Sequence, residues 1–154
     1  MLSSRPLAVR RQDGFSLTEV MMTLVIIGIL MAVAVPMYQD SMRKSRRADA
    51  MRELMELGSR QERFYAQNSR YTNVISEGTG LDLGRTETRD GHYDLRVVQC
   101  VDNDGNSIAL DQCYVLQATP KGEQANDEEC AIIRVDSLGQ RESVDAKGYD
   151  SDCW

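Results

Sequence analysis

Gly14-Phe15-Ser16-Leu17-Thr18-Glu19-Val20 opens an apolar run that continues to Val35-Pro36-Met37, and this stretch decides the fold. Phe15–Met37 is 23 residues long with one charged side chain, Glu19. As a helix it would measure roughly 34 Å at about 1.5 Å per residue, enough to cross a hydrocarbon core of about 30 Å. Arg5, Arg10 and Arg11 precede it and favour a cytoplasmic N-terminus, with the rest of the chain facing outward. Three assignments compete. One is a plain signal anchor. Another is a cleaved secretory signal, because Ala32-Val33-Ala34 has a small-x-small pattern and Arg10-Arg11 supplies a basic region. The third turns on Glu19. A carboxylate in an apolar span costs about 2.5–3.5 kcal/mol near the centre and less near the interface. An isolated anchor gains nothing from it. If the chain is cut after Gly14, Phe15 acquires a positively charged amine, and Glu19 lies four residues on, one helical turn away. In an assembly the amine of a neighbouring subunit could serve instead.

Gly14-Phe15-Ser16-Leu17-Thr18-Glu19 followed by an apolar run resembles the prepilin peptidase site of type IV pilins and pseudopilins. The resemblance implies a leader at 1–14, cleavage between Gly14 and Phe15 by the prepilin peptidase, and N-methylation of Phe15. It also implies that segment 15–37 is retained, first as a single-pass inner-membrane anchor with a periplasmic domain, then as the core of an extracellular fibre. Partners would be other pilin subunits and the pilus assembly machinery. The departures are mild: the leader is fairly long, and Asp13 stands where a basic or neutral residue is commoner. Gly28 and Pro36 fit the family pattern of helix breakers. Pro36 removes one helical hydrogen bond and Gly28 weakens the helix by about 1 kcal/mol, so the stretch between them is expected to lose helicity on assembly.

Residues 38–154 read as a polar soluble domain. Charge is segregated within it. Arg43–Arg70 carries eight basic and four acidic side chains, whereas Tyr71–Trp154 carries seven basic and seventeen acidic ones. An acidic domain repels polyanions on average, which argues against general nucleic-acid binding. Residues 38–68 read as a helix continuing from the span, with Ala50, Leu54, Leu57 and Phe64 on one apolar face widened by Met51 and Tyr65. Arg43, Lys44, Arg46 and Arg47 follow the span; they read as contacts for lipid head groups or neighbouring subunits, or as a solvated helix face. The stretch Arg47–Thr72, with Arg60-Gln61-Glu62-Arg63-Phe64-Tyr65, resembles the helix end of minor pilins of the PilE-like group. Residues 72–90, with Gly78, Gly80 and Gly84, read as a surface loop. Strands are expected at His92–Gln99, Tyr114–Thr119, Ala131–Val135 and Arg141–Val144, with Ser137-Leu138-Gly139-Gln140 as a turn. One helix then a sheet over 92–144, followed by a tail at 145–154, gives an α+β class with a mostly antiparallel sheet. In the tail, Tyr149 and Trp154 read as packing anchors or as exposed adhesive aromatics, with packing preferred.

Cys100, Cys113, Cys130 and Cys153 lack CxxC spacing, and the chain has one histidine, His92, so a zinc site is poorly supported. An even count behind a membrane-targeting segment reads as two disulfides, for which three pairings exist. Cys100–Cys113 with Cys130–Cys153 is preferred: the first closes the excursion between two adjacent strands, and the second tethers the tail, a closed C-terminal loop that the pilin resemblance also implies. Asp102-Asn103-Asp104-Gly105-Asn106 has the alternating oxygens of a calcium loop, but its glycine is fourth rather than sixth and position twelve is Cys113. No metal, cofactor or catalytic constellation is expected, and an enzyme is the least favoured class. The leading function is a structural subunit, a minor pilin supporting pilus assembly, twitching motility and adhesion. The alternatives are a DNA-capturing pilin of natural transformation, with Arg85, Arg89 and Arg96 as a local basic patch, and a pseudopilin of a type II secretion system.

Overall fold

Helix α1 runs from Leu17 to Asn68, 52 residues, with Pro36 inside it. The computed structural model describes residues 14–76, 78, 80–102 and 104–154; the leader proposed at 1–14, save its last residue, lies outside them. The chain divides into two units, with the boundary between Gln39 and Asp40. Among its described residues, the first unit holds the N-terminal part of α1 from Leu17, preceded by Gly14–Ser16. In the second, Ala50, Leu54 and Leu57 are wholly buried on α1, at the spacing of one helical face. Phe64 and Met51 pack at the margin of the same core.

Four strands follow: β1 (Tyr93–Val98), β2 (Val115–Pro120), β3 (Ile132–Asp136) and β4 (Arg141–Val144). They form one sheet in the order β1-β2-β3-β4, antiparallel throughout. Alternation points Tyr93, Leu95, Leu116, Ala118, Ile133 and Val135 inward, where they join Ala50, Leu54 and Leu57 in one core. Each fully buried leucine or isoleucine contributes about 1.5–3 kcal/mol. A short 3-10 segment, Gly122–Asn126, which sequence alone did not suggest, lies between β2 and β3.

The stretch between α1 and β1 is more than a surface loop, and this corrects the sequence-based expectation. It sends Ile75, Leu81 and Leu83 into the core, and polar groups of α1 hold it there. The Gln61 amide pairs with the backbone of Thr72 in both directions, donating to its carbonyl at 2.6 Å and accepting from its N–H at 3.1 Å. Arg60 donates to the carbonyls of Leu81 and Asp82. Gly80 is required by close approach: a Cβ there would collide with the Val74 carbonyl oxygen.

Three turns share one construction. In Asp102–Asn106, Asp136–Gln140 and Asp145–Tyr149, the first residue's Oδ1 accepts the N–H groups two and four residues on. The fourth residue is a glycine at φ +83, +79 and +84, the left-handed position of a type I turn closed by a bulge. The sequence motif behind all three is Asp-x-x-Gly-x.

Disulfides join Cys100 to Cys113 and Cys130 to Cys153. The tail runs back along β4: Val144 bridges Asp150, the Ser151 N–H donates to the Ser143 carbonyl, and Trp154 Nε1 donates to the Glu142 carbonyl. The Arg141 guanidinium stacks over the Trp154 ring at 5.2 Å. Trp154 is thus a packing anchor, whereas Tyr149 is 69% exposed and is not. Cys153→Ala is expected to lower stability by about 3 kcal/mol and to open the tail to protease. Unchanged melting and unchanged protease resistance would contradict this role.

Candidate functional site

Two regions carry the functional chemistry, and each is described by itself. In the first unit, Ser16 starts the helix by accepting the N–H groups of Glu19 and Val20 on its carbonyl at 3.1 and 3.2 Å. Glu19 therefore sits in the first helical turn, where a carboxylate is favoured by the helix macrodipole. Gly14 and Phe15 precede the helix, and Phe15 is 83% exposed. From Phe15 to Tyr38 every residue is exposed, the apolar ones included, and the most apolar window has mean hydropathy 2.6 with none of it buried. So large an uncovered apolar surface needs a bilayer or protein partners. Gly28 and Pro36 lie within this unbroken helix, and nothing comes within 4 Å of a Cβ built at Gly28.

The second unit holds a polar cluster that sequence reasoning missed. Arg47, placed with the surface cations at the sequence level, is buried. Its guanidinium donates to both carboxylate oxygens of Asp127 at 2.6 and 2.5 Å and to Glu129 at 3.0 Å. Asp127 is itself 2% exposed and also receives the Gln124 amide at 2.9 Å, which in turn donates to the Tyr93 hydroxyl at 3.0 Å. Hydrogen bonding to Asp127 raises the Arg47 pKa further above its ordinary value. Neighbouring Arg46 reaches Glu123 at 3.3 Å, and Arg43 pairs with Asp40 at 3.6 Å. Of the four cations, only Lys44 remains an exposed charge with no ion pair among the described residues. Arg47 and Asp127 are 80 positions apart, and no local signal in one sequence joins them.

Burial pushes the Tyr93 hydroxyl up to about 12. The neutral phenol is therefore favoured in the folded chain, a contribution complete below pH 10 and lost as pH rises from about 10 to 12. Tyr93→Phe should flatten the stability profile across that window, read by denaturant titration at stepped pH. An unchanged slope would contradict the assignment.

Arg85, Arg89 and Arg96 do not act as one free patch. Arg85 turns toward α1 and pairs with buried Glu53 at 2.5 Å, while Arg89 and Arg96 are exposed. The Asp102 carboxylate, a candidate calcium ligand by spacing, is occupied by its own turn, and hydrogen bonds from Asn106 hold its pKa below the usual value. Among the described residues no group of acidic, cysteine or histidine side chains is arranged to hold a metal.

A membrane-length apolar helix with one carboxylate in its first turn, joined in sequence to a disulfide-closed α+β domain, defines a class of helix-anchored subunit. Comparison with known proteins agrees. Residues 9–35 match the prokaryotic N-terminal methylation motif, and residues 36–134 match the family described as type IV minor pilin ComP, DNA uptake sequence receptor. The type IV major pilin protein PilA of Myxococcus xanthus is 32% identical over 70% of this chain, and the match spans 43% of its length. Type II secretion system core protein G of Dickeya chrysanthemi is 36% identical over 51% of this chain and 51% of its own. A solved type IV pilin from Shewanella oneidensis, at 23% identity and TM-score 0.45, covers 73% of this chain and 97% of its own. The chain belongs to the type IV pilin family, whose members are structural subunits rather than enzymes.

Proposed function

We propose that the protein is a minor pilin, a structural subunit of a type IV pilus that supports pilus assembly and with it motility and adhesion. The observation that carries this is the wholly uncovered apolar helix bearing Glu19, joined in sequence to a domain matched by a minor-pilin family model. The prepilin peptidase cuts between Gly14 and Phe15, and the exposed amine of Phe15 is methylated. Before assembly the segment spans the inner membrane once, with the domain in the periplasm. In the fibre the same side chains pack on other subunits, Glu19 meets an N-terminal amine, and the stretch from Gly28 to Pro36 unwinds. Cys100–Cys113 and Cys130–Cys153 keep the domain folded outside the cell. Deleting the protein in its host should diminish pili or twitching and leave type II secretion intact. Lost secretion with normal pili would make it a pseudopilin.

A second function is favoured by the matched family's description as a DNA uptake sequence receptor. As such the chain would capture DNA through cations that remain exposed, among them Arg89, Arg96 and Lys44. Salt-dependent DNA binding by the purified protein, weakened by neutralising these cations, would support it; no shift at low salt would remove it.

A further inference from the structure

The two edges of the sheet are finished differently. The β4 edge is covered by the chain's own tail through Asp150 and Ser151. The β1 edge is covered over its first half only. There Thr88 N–H donates to the Tyr93 carbonyl and Leu95 N–H donates to the Thr86 carbonyl, both in backbone pairing. The chain then leaves the edge: Arg85 is drawn to Glu53 and Gly84 turns away at φ +73. Because Tyr93 and Leu95 bond outward, Asp94, Arg96 and Val98 are the residues that bond to β2, and Val97 again faces outward. Among the described residues no backbone partner is recorded for the Val97 N–H or carbonyl or for the Leu95 carbonyl. A groove of about 590 Å³ lies beside this open half, with Asn73–Ser76 as its far wall.

We propose that the open edge Leu95–Val98 takes up an extended peptide segment as a fifth strand, and that the segment carries an acidic residue flanked by apolar ones. Unpaired edge groups are a template for strand addition, and this recognition mode draws affinity from main-chain bonds and specificity from alternate side chains. The charge at the groove selects the acidic residue. Asp94 is already paired with Lys121 at 3.1 Å, while Arg96 is exposed and pairs with no carboxylate among the described residues. Arg96 projects on the outer sheet face, so an acidic side chain on that face of the added strand lies across from it. The alternate positions of the added strand face inward, toward Val97 and Ile75, and are best apolar. This surface is separate from the apolar helix and from the buried Arg47 cluster.

The test uses the full-length protein in detergent micelles and two eight-residue probes of alternating sequence, one valine–glutamate and one valine–lysine. The valine–glutamate probe should bind at least tenfold more tightly and should slow amide exchange at Val97, which exchanges faster than Arg96 and Val98 in the free protein. Val97→Pro removes only the outward N–H, which the β2 ladder does not use, so the variant should stay folded and lose at least tenfold in affinity. Arg96→Glu should reverse the preference between the probes without touching the edge. Binding unchanged in folded Val97→Pro, equal affinity for both probes, no binding of either, or a Val97 amide already protected in the free protein would each overturn the proposal. So would concentration-dependent protection of Val97 without a probe, which would assign the edge to a second copy of the chain.

Discussion

Asp127→Ala is expected to destabilise the domain by about 3–5 kcal/mol, because it strands the Arg47 guanidinium in a buried site. Arg47 would keep only Glu129, which is exposed at its side chain, and Gln124 would lose one of its acceptors. For a domain of this size the loss corresponds to a melting shift on the order of 10 °C. The double change Arg47→Met with Asp127→Leu removes both charges together and should recover most of the loss, since buried pairs often replace well with apolar side chains. Urea unfolding followed by circular dichroism distinguishes the cases. A cost for Asp127→Ala within about 0.5 kcal/mol, the range of ordinary surface changes, would show that the cluster does not hold α1 to the segment before β3.

Glu19→Lys carries the second large effect, on assembly rather than on folding. The domain from Asp40 onward does not involve residue 19, so its melting should not move. Cleavage after Gly14 should continue. On the proposed processing, what changes is the partner of the Phe15 amine: a carboxylate one turn away becomes a second cation. The cost of an unpaired charge in an apolar setting is at most about 2.5–3.5 kcal/mol, the value at the centre of a span, so up to about a hundredfold in an assembly equilibrium. The ratio of filament-borne to membrane-borne protein should fall accordingly, while Glu19→Gln, which leaves no like charge, should fall less. Equal incorporation of Glu19→Lys and the unchanged protein would remove the pairing of residue 19 with the amine.

These two residues also mark what a single sequence shows and what it hides. Glu19 is legible because its surroundings are local: one carboxylate in a run of apolar side chains, five residues after a glycine. The alternation of Tyr93, Leu95 and Val97 is legible for the same reason, since a period of two is written in adjacent residues, and the strand at Arg141–Val144 is marked by the turn signal Ser137-Leu138-Gly139-Gln140 before it. The sheet and the long helix follow from such patterns. The role of Arg47 is not legible because its partner is far along the chain. Composition puts it in a basic stretch, Arg43–Arg47, and only tertiary structure separates buried Arg47 from exposed Lys44. The segment before β1 failed for a related reason. Its glycines and polar residues resemble a solvated loop, while Ile75, Leu81 and Leu83 are spaced to no regular period and are buried by Gln61 and Arg60 reaching across from α1. The Asp-x-x-Gly-x turns lie between these extremes. The pattern is local and repeated three times, but at Asp102 the same oxygens also match the spacing of a metal loop, and only their hydrogen bonds within the turn separate the two.

The most direct measurement is the intact mass and N-terminal fragment spectrum of the protein recovered from assembled filaments. A mature chain beginning at Phe15, heavier by one methyl group and retaining Phe15–Met37, is the expected result. A chain beginning at Met1, or after Ala34, would contradict the account at its root, because Glu19 would then have no processed amine to meet.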